Sequence, residues 1–164
     1  MTDNYIQLGK SNILRLGIKN DKGEDTGNYL EFDLEDIELP LRLQELVERH
    51  KKNINGLQNQ LLIIDKRQDV KGKKLLSKNE EDKLKVVEEF YRREKEVYNM
   101  FLGEGGVDKL LNGRKLGWTT LKEIDEIIEK QIAPHIDTTM ESLTDKIKNK
   151  YGNKEEDGEV LKDE

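Results

Sequence analysis

A run of residues spaced by threes and fours limits the folds open to this chain more than any other feature. Val47, His50, Ile54, Leu57, Leu61 and Ile64 recur at intervals of 3, 4, 3, 4 and 3. That heptad spacing places all six on one seam of a long helix. His50 is its one polar member, at a position where such a residue sets register more often than it binds metal. Gly56, which costs about 1 kcal/mol relative to alanine in a helix interior, marks a candidate kink. Upstream, "EDIELPLRLQEL" offers acidic residues and an early Pro40, the signs of a helix start. An apolar seam of this length needs a facing helix or a partner.

The facing helix is signalled after the basic stretch "KRQDVKGKKLLS" (Lys66–Ser77). Ser77 and Glu80 form the S-x-x-E pattern of a capping box. Leu84, Val87, Tyr91, Tyr98 and Phe101 then make an apolar stripe, with Val86, Phe90 and Val97 alongside. Residues 38–102 thus read as a long antiparallel helical hairpin whose seams face each other or a partner. After "GEGG", Thr120 and Glu123 repeat the capping-box pattern, and Leu121, Ile124, Ile127, Ile128 and Ile132 share a helical face. Pro134 should end or kink that helix. Ile136, Met140, Leu143 and Ile147, spaced by 4, 3 and 4, predict a last amphipathic helix that stops near Gly152.

Before the helices the period changes to two. "NILRLGI" (Asn12–Ile18) and "YLEFDL" (Tyr29–Leu34) alternate, and the Gly-, Asp- and Asn-rich "KNDKGEDTGN" between them suits a hairpin connection. "YIQL" (Tyr5–Leu8) is a candidate third strand. The expected fold is α+β: a small N-terminal antiparallel β-sheet at 5–34, packed against a mainly helical bundle. The long hairpin at 38–102 and C-terminal helices at 103–152 complete a single domain, 1–152. Residues 153–164 hold six carboxylates against two lysines and read as an acidic, flexible tail.

The residues for chemistry are sparse. The chain has 164 residues, no cysteine, two histidines, 39% charged residues and a formal charge of −6. No stretch approaches the roughly 18 apolar residues of a membrane span, and the N-terminus lacks the pattern of a signal peptide. The acidic balance argues against general nucleic-acid binding. "GEGGVDK" lacks the Gly-Lys-Ser/Thr ending of a phosphate-binding loop, follows a helix instead of a strand, and puts Glu104 where a phosphate would sit. His50 and His135 have no companion at ligand spacing, and no serine has a clear histidine partner. No cofactor, no metal and no catalytic set is expected. The glycines read instead as a helix stop and restart at positive φ.

Two segments together resemble a family. "YLEFDLEDIELPLRLQELVE" and the later "MFLGEGGVDKLLNGRKLGWTTLKEIDEIIEKQI" are similar to the tail assembly chaperones of long-tailed phages and prophages in low-GC Gram-positive bacteria. Phe32 and Asp33 match the family's strand end, and Arg42 and Leu46 its first helix. Gly103, Glu104, Gly105, Lys109, Leu110 and Gly113 match its glycine motif, flanked here by Phe101 and Leu111. A single alanine and two prolines against frequent Lys, Ile and Asn fit an AT-rich genome. The resemblance implies a non-enzymatic protein of the bacterial host cytoplasm that coats the phage tape measure protein and keeps it soluble. It would recruit tail tube protein and be absent from the mature tail. The Val47–Ile64 seam is the candidate partner-binding surface. The alternative is a structural or scaffolding protein of a phage particle that self-associates through the same seam.

Overall fold

Two antiparallel strands open the fold, β1 (Ile13–Lys19) and β2 (Asp25–Asp33), in a computed structural model that describes residues 3–9 and 12–152. Pairing of Leu14 with Phe32 and of Leu16 with Leu30 puts these four side chains on one face, where Leu30 and Phe32 are buried. Asn20 holds the turn: its Oδ1 accepts the N–H groups of Lys22 and Glu24, each at 2.9 Å. β2 starts at Asp25, ahead of its alternating part, because a bulge interrupts the ladder between Gly17 and Lys19 and the Thr26 hydroxyl donates to the Ile18 carbonyl at 2.7 Å. The third strand expected at Tyr5–Leu8 does not form, and Tyr5, Ile6 and Leu8 stand almost fully exposed. So short a segment offers few pairings against the cost of ordering it.

Helices make up most of the remainder. α1 (Glu38–Asp65) runs through Gly56 without a break, about 42 Å at 1.5 Å per residue. It packs antiparallel on α2 (Lys78–Leu102), whose N-cap Ser77 accepts the Glu80 N–H at 3.2 Å as its sequence predicts. The inward line of α1 begins Leu39, Leu43, Leu46 and continues through His50 to Ile64. Leu46 therefore holds the place expected of Val47, which is 43% exposed on the outer side. On α2, Phe90, Glu94, Val97, Tyr98 and Phe101 face inward while Leu84 faces out.

A short α3 (Gly106–Leu111) leads to α4 (Trp118–Ile127), a π-helical turn (Ile128–Ile132) and α5 (Ala133–Ile147). α4 begins earlier than the Thr120 capping pattern suggests. Gly117 is its N-cap, and Thr120, one turn in, accepts the Gly117 N–H at 2.8 Å. Helical structure continues through Pro134 instead of ending there, because the wide turn before it relaxes the register that a proline disrupts. Leu121, Ile124, Ile128, Ile132 and Ile136 carry this helical run into the same core as the sheet and α2. The α+β architecture follows the sequence patterns, and the 153–164 tail lies outside the described residues.

Candidate functional site

The glycine motif is a corner. α2 stops at Gly103 (φ +102), Gly105 (φ +69) is the left-handed N-cap of α3, and α3 ends at Asn112 and Gly113 with φ +48 and +86. Such angles suit glycine because a Cβ would meet the neighbouring carbonyl. Asn99 in the last turn of α2 fixes the restart: its Oδ1 accepts the Val107 N–H at 2.8 Å. Gly106 is needed for a different reason. A Cβ there would lie 2.7 Å from Leu102 Cβ and 3.6 Å from a Leu30 methyl. Phe101 packs against Phe32 with ring centroids 5.5 Å apart, so the strand-end and glycine motifs meet in the core. Leu111 is buried, Leu110 and Lys109 are half-buried, and Glu104 and Asp33 are exposed. Asp33 accepts the Glu35 N–H at 3.0 Å, and Arg42 bonds Asp36 at 2.7 Å and Glu38 at 3.3 Å, bracing the turn from β2 into α1. The Arg42 guanidinium holds the Asp36 carboxyl below the usual carboxylate range.

A polar clasp lies in the middle of the helical hairpin. Glu94, 0% exposed, accepts His50 Nδ1 at 2.5 Å and Asn53 Nδ2 at 2.8 Å. Tyr98, beside it on α2, meets the His50 ring edge-on at 6.1 Å and donates its hydroxyl to Asp125 of α4. The hydrogen bond to Glu94 raises the His50 pKa above the ordinary histidine value, against the effect of burial. Burial first, and then Asp125, raises that of Tyr98; burial raises that of Asp125. The crevice beside the clasp, between Asn53, Leu57 and Phe90, holds about 10 Å³, at the limit of a single water. The clasp therefore joins three helices without opening onto substrate-sized space. Sequence reasoning missed Glu94, although it falls on the stripe between Phe90 and Val97/Tyr98. A carboxylate on an apolar stripe opposite a histidine on another was the available signal.

The expected partner-binding seam is closed. His50, Ile54, Leu57, Leu61 and Ile64 turn toward α2, leaving Val47 alone outside. α2 thus occupies the face through which partner binding or self-association was expected. Open apolar surface lies elsewhere. On α5, Ile136 is 3% exposed, whereas Met140, Leu143 and Ile147 are 47%, 46% and 51% exposed. Beside this stripe a groove of about 530 Å³ runs between Leu34 and Glu35 after β2 and Thr138, Ser142 and Leu143 of α5. A second cleft of about 730 Å³ opens at the turn end of the sheet. Its floor is Leu16, Ile18, Leu110 and Ile127, and its rim carries Lys19, Asp21, Arg114 and Glu123.

The motif residues Leu110, Leu111 and Gly113 line that second cleft, while Phe32, Phe101, Gly103 and Gly105 build the corner behind it. Among the described residues no group of three or more His, Asp or Glu side chains is placed to hold a metal ion, and no helix is long and apolar enough to cross a membrane. Comparison with protein-family models, with curated proteins and with solved structures finds no match.

Proposed function

We propose that the protein acts by binding, as a tail assembly chaperone that holds the phage tape measure protein soluble and helps bring tail tube protein to it. The observation that carries this reading is the open stripe of α5, an apolar seam at helical spacing anchored through Ile136 and without a facing helix among the described residues. A patch of this kind marks an interaction site in a soluble protein. The partner that fits it is an amphipathic helix, which lays its own apolar stripe into a groove. A tape measure protein, long and helical, exposes such stripes repeatedly. The net charge of −6 keeps a coated complex from associating with its neighbours. Work in the host cytoplasm and absence from the finished tail belong to the same proposal.

Co-expression tests it. Tape measure protein should move into the soluble fraction and co-purify with the wild-type chain. It should fail to do so with the triple variant Met140→Ser, Leu143→Ser, Ile147→Ser, whose circular dichroism and melting should match wild type. No association of the wild-type chain with the tape measure protein would refute the reading.

A further inference from the structure

The connection between α1 and α2 carries a surface that the α5 reading does not use. Residues 66–77 hold Lys66, Arg67, Lys71, Lys73 and Lys74 against a single carboxylate, Asp69, in a chain whose overall charge is −6. Arg67 and Lys78 are bound to Asp82 at 2.8 and 3.1 Å, whereas Lys66, Lys71, Lys73 and Lys74 make no salt bridge among the described residues. Lys74 still acts at longer range, helping to lower the pKa of Glu81 behind Lys85. Four aliphatic side chains share this end of the hairpin in the open: Leu62 and Ile63 in the last turn of α1, and Val70 and Leu75 in the connection, 54–89% exposed.

The connection is also held in shape. Buried Asn79 donates Nδ2 to the carbonyls of Ile64 and Arg67, both at 3.1 Å. Asp69 accepts the N–H groups of Val70 and Asn79 at 2.8 and 2.9 Å, and the Lys78 N–H reaches the Val70 carbonyl at 2.9 Å. Buried Asn79 and exposed Asp69 thus fix a loop that leaves Val70 and Leu75 exposed. A loop that merely joined two helices would need neither the bracing nor the exposed aliphatics.

We propose that this tip docks an acidic, apolar-striped helix of a partner protein, independently of what α5 binds. Charge complementarity selects the acidic partner, and a helix presents carboxylates beside an aliphatic stripe in the same spacing. Of the carboxylates close to this end, Asp65 is paired with Lys83, Asp82 with Arg67 and Lys78, and Glu81 with Lys85, which leaves Lys66, Lys71, Lys73 and Lys74 as an excess of positive charge. Residues 62–78 contain no aromatic side chain. Nucleic-acid grooves use aromatic rings for stacking and membrane interfaces for anchoring, so that absence favours the helix over both.

Fluorescence anisotropy with the full chain tests the proposal. The probe is a labelled helical peptide with leucine at i, i+3, i+4 and i+7 and glutamate elsewhere. Binding should be about tenfold or more tighter than to the lysine counterpart and should weaken steeply with salt. Replacing Lys66, Lys71, Lys73 and Lys74 by Gln, or Val70 and Leu75 by Ser, should each weaken it about tenfold without changing the melting curve, since all six side chains are exposed. Equal binding of the two peptides, or no effect of either set of substitutions, would overturn the proposal. So would tighter binding of a uridine oligonucleotide or of phosphatidylglycerol vesicles. Self-association that the Lys→Gln set abolishes would assign the tip to a second copy instead. Because no tape measure protein enters the assay, its failure leaves the α5 reading standing, and the co-expression result leaves this one standing.

Discussion

In the α1–α2 hairpin an apolar seam spaced by threes and fours is closed by a second helix; in α5 the same kind of spacing turns to solvent after its first member. Ile54 and Leu57 pack against the core across the hairpin, whereas Met140, Leu143 and Ile147 are about half exposed. The closed seam also contains a polar clasp, Glu94 with His50 and Asn53, and the open stripe has only aliphatic side chains and methionine. A buried carboxylate is stable only where donors meet it in a fixed arrangement, so the clasp rewards one alignment of α1 on α2. An aliphatic stripe imposes no such alignment and accepts helices of varied sequence. The hairpin therefore specifies a fold, and α5 offers a surface.

Substitutions should separate the two regions, beginning where the effect is largest. Glu94→Ala leaves His50 and Asn53 without their acceptor and should cost about 3 kcal/mol in urea unfolding, near the low end for a broken buried pair because part of the His50 ring reaches solvent. Leu57→Ala in the same seam should cost about 2 kcal/mol. If Glu94→Ala unfolds at the wild-type midpoint, the clasp does not hold the hairpin.

The pH dependence comes next. The folded-state pKa of His50 is raised, so the folded protein holds that proton more tightly than the unfolded chain. Its contribution is complete below the unfolded value of about 6.5 and is lost as pH rises through the higher folded value. Asp125, also raised, acts with the same sign lower on the pH scale. The urea midpoint should therefore fall as pH rises above 6.5, and His50→Gln should flatten that fall. A midpoint that climbs over this window would contradict the assignment of the proton.

The smallest effect on stability belongs to the open stripe. Leu143→Ser should change unfolding by less than about 0.5 kcal/mol, as for other exposed positions. A loss comparable to that of Leu57→Ala would mean that α5 is packed, and the contrast between the two seams would disappear.

The contrast also marks how far the sequence could be read. Periodicity identifies which side chains share a face, and it located both strands, both arms of the hairpin and the helices that follow. It is silent on what lies opposite. The α1 seam and the α5 stripe look alike on paper, and only packing shows that the first is closed. Neighbouring apolar residues blur the seam by one position, so Leu46 and Val47 exchange roles. Thr120 offers a capping pattern, yet Gly117 begins the helix, because a threonine hydroxyl can reach back from inside the first turn as well as cap it. Glu94 was hidden for a different reason: among so many carboxylates, one on the wrong face has no compositional signature.

The most direct test of the account is hydrogen–deuterium exchange on the full chain, alone and with tape measure protein. Binding through α5 predicts slower exchange of amides in residues 133–147, with the α1 amides from Val47 to Ile64 unchanged. Protection confined to α1 and α2, with α5 exchanging as in the free protein, would contradict it.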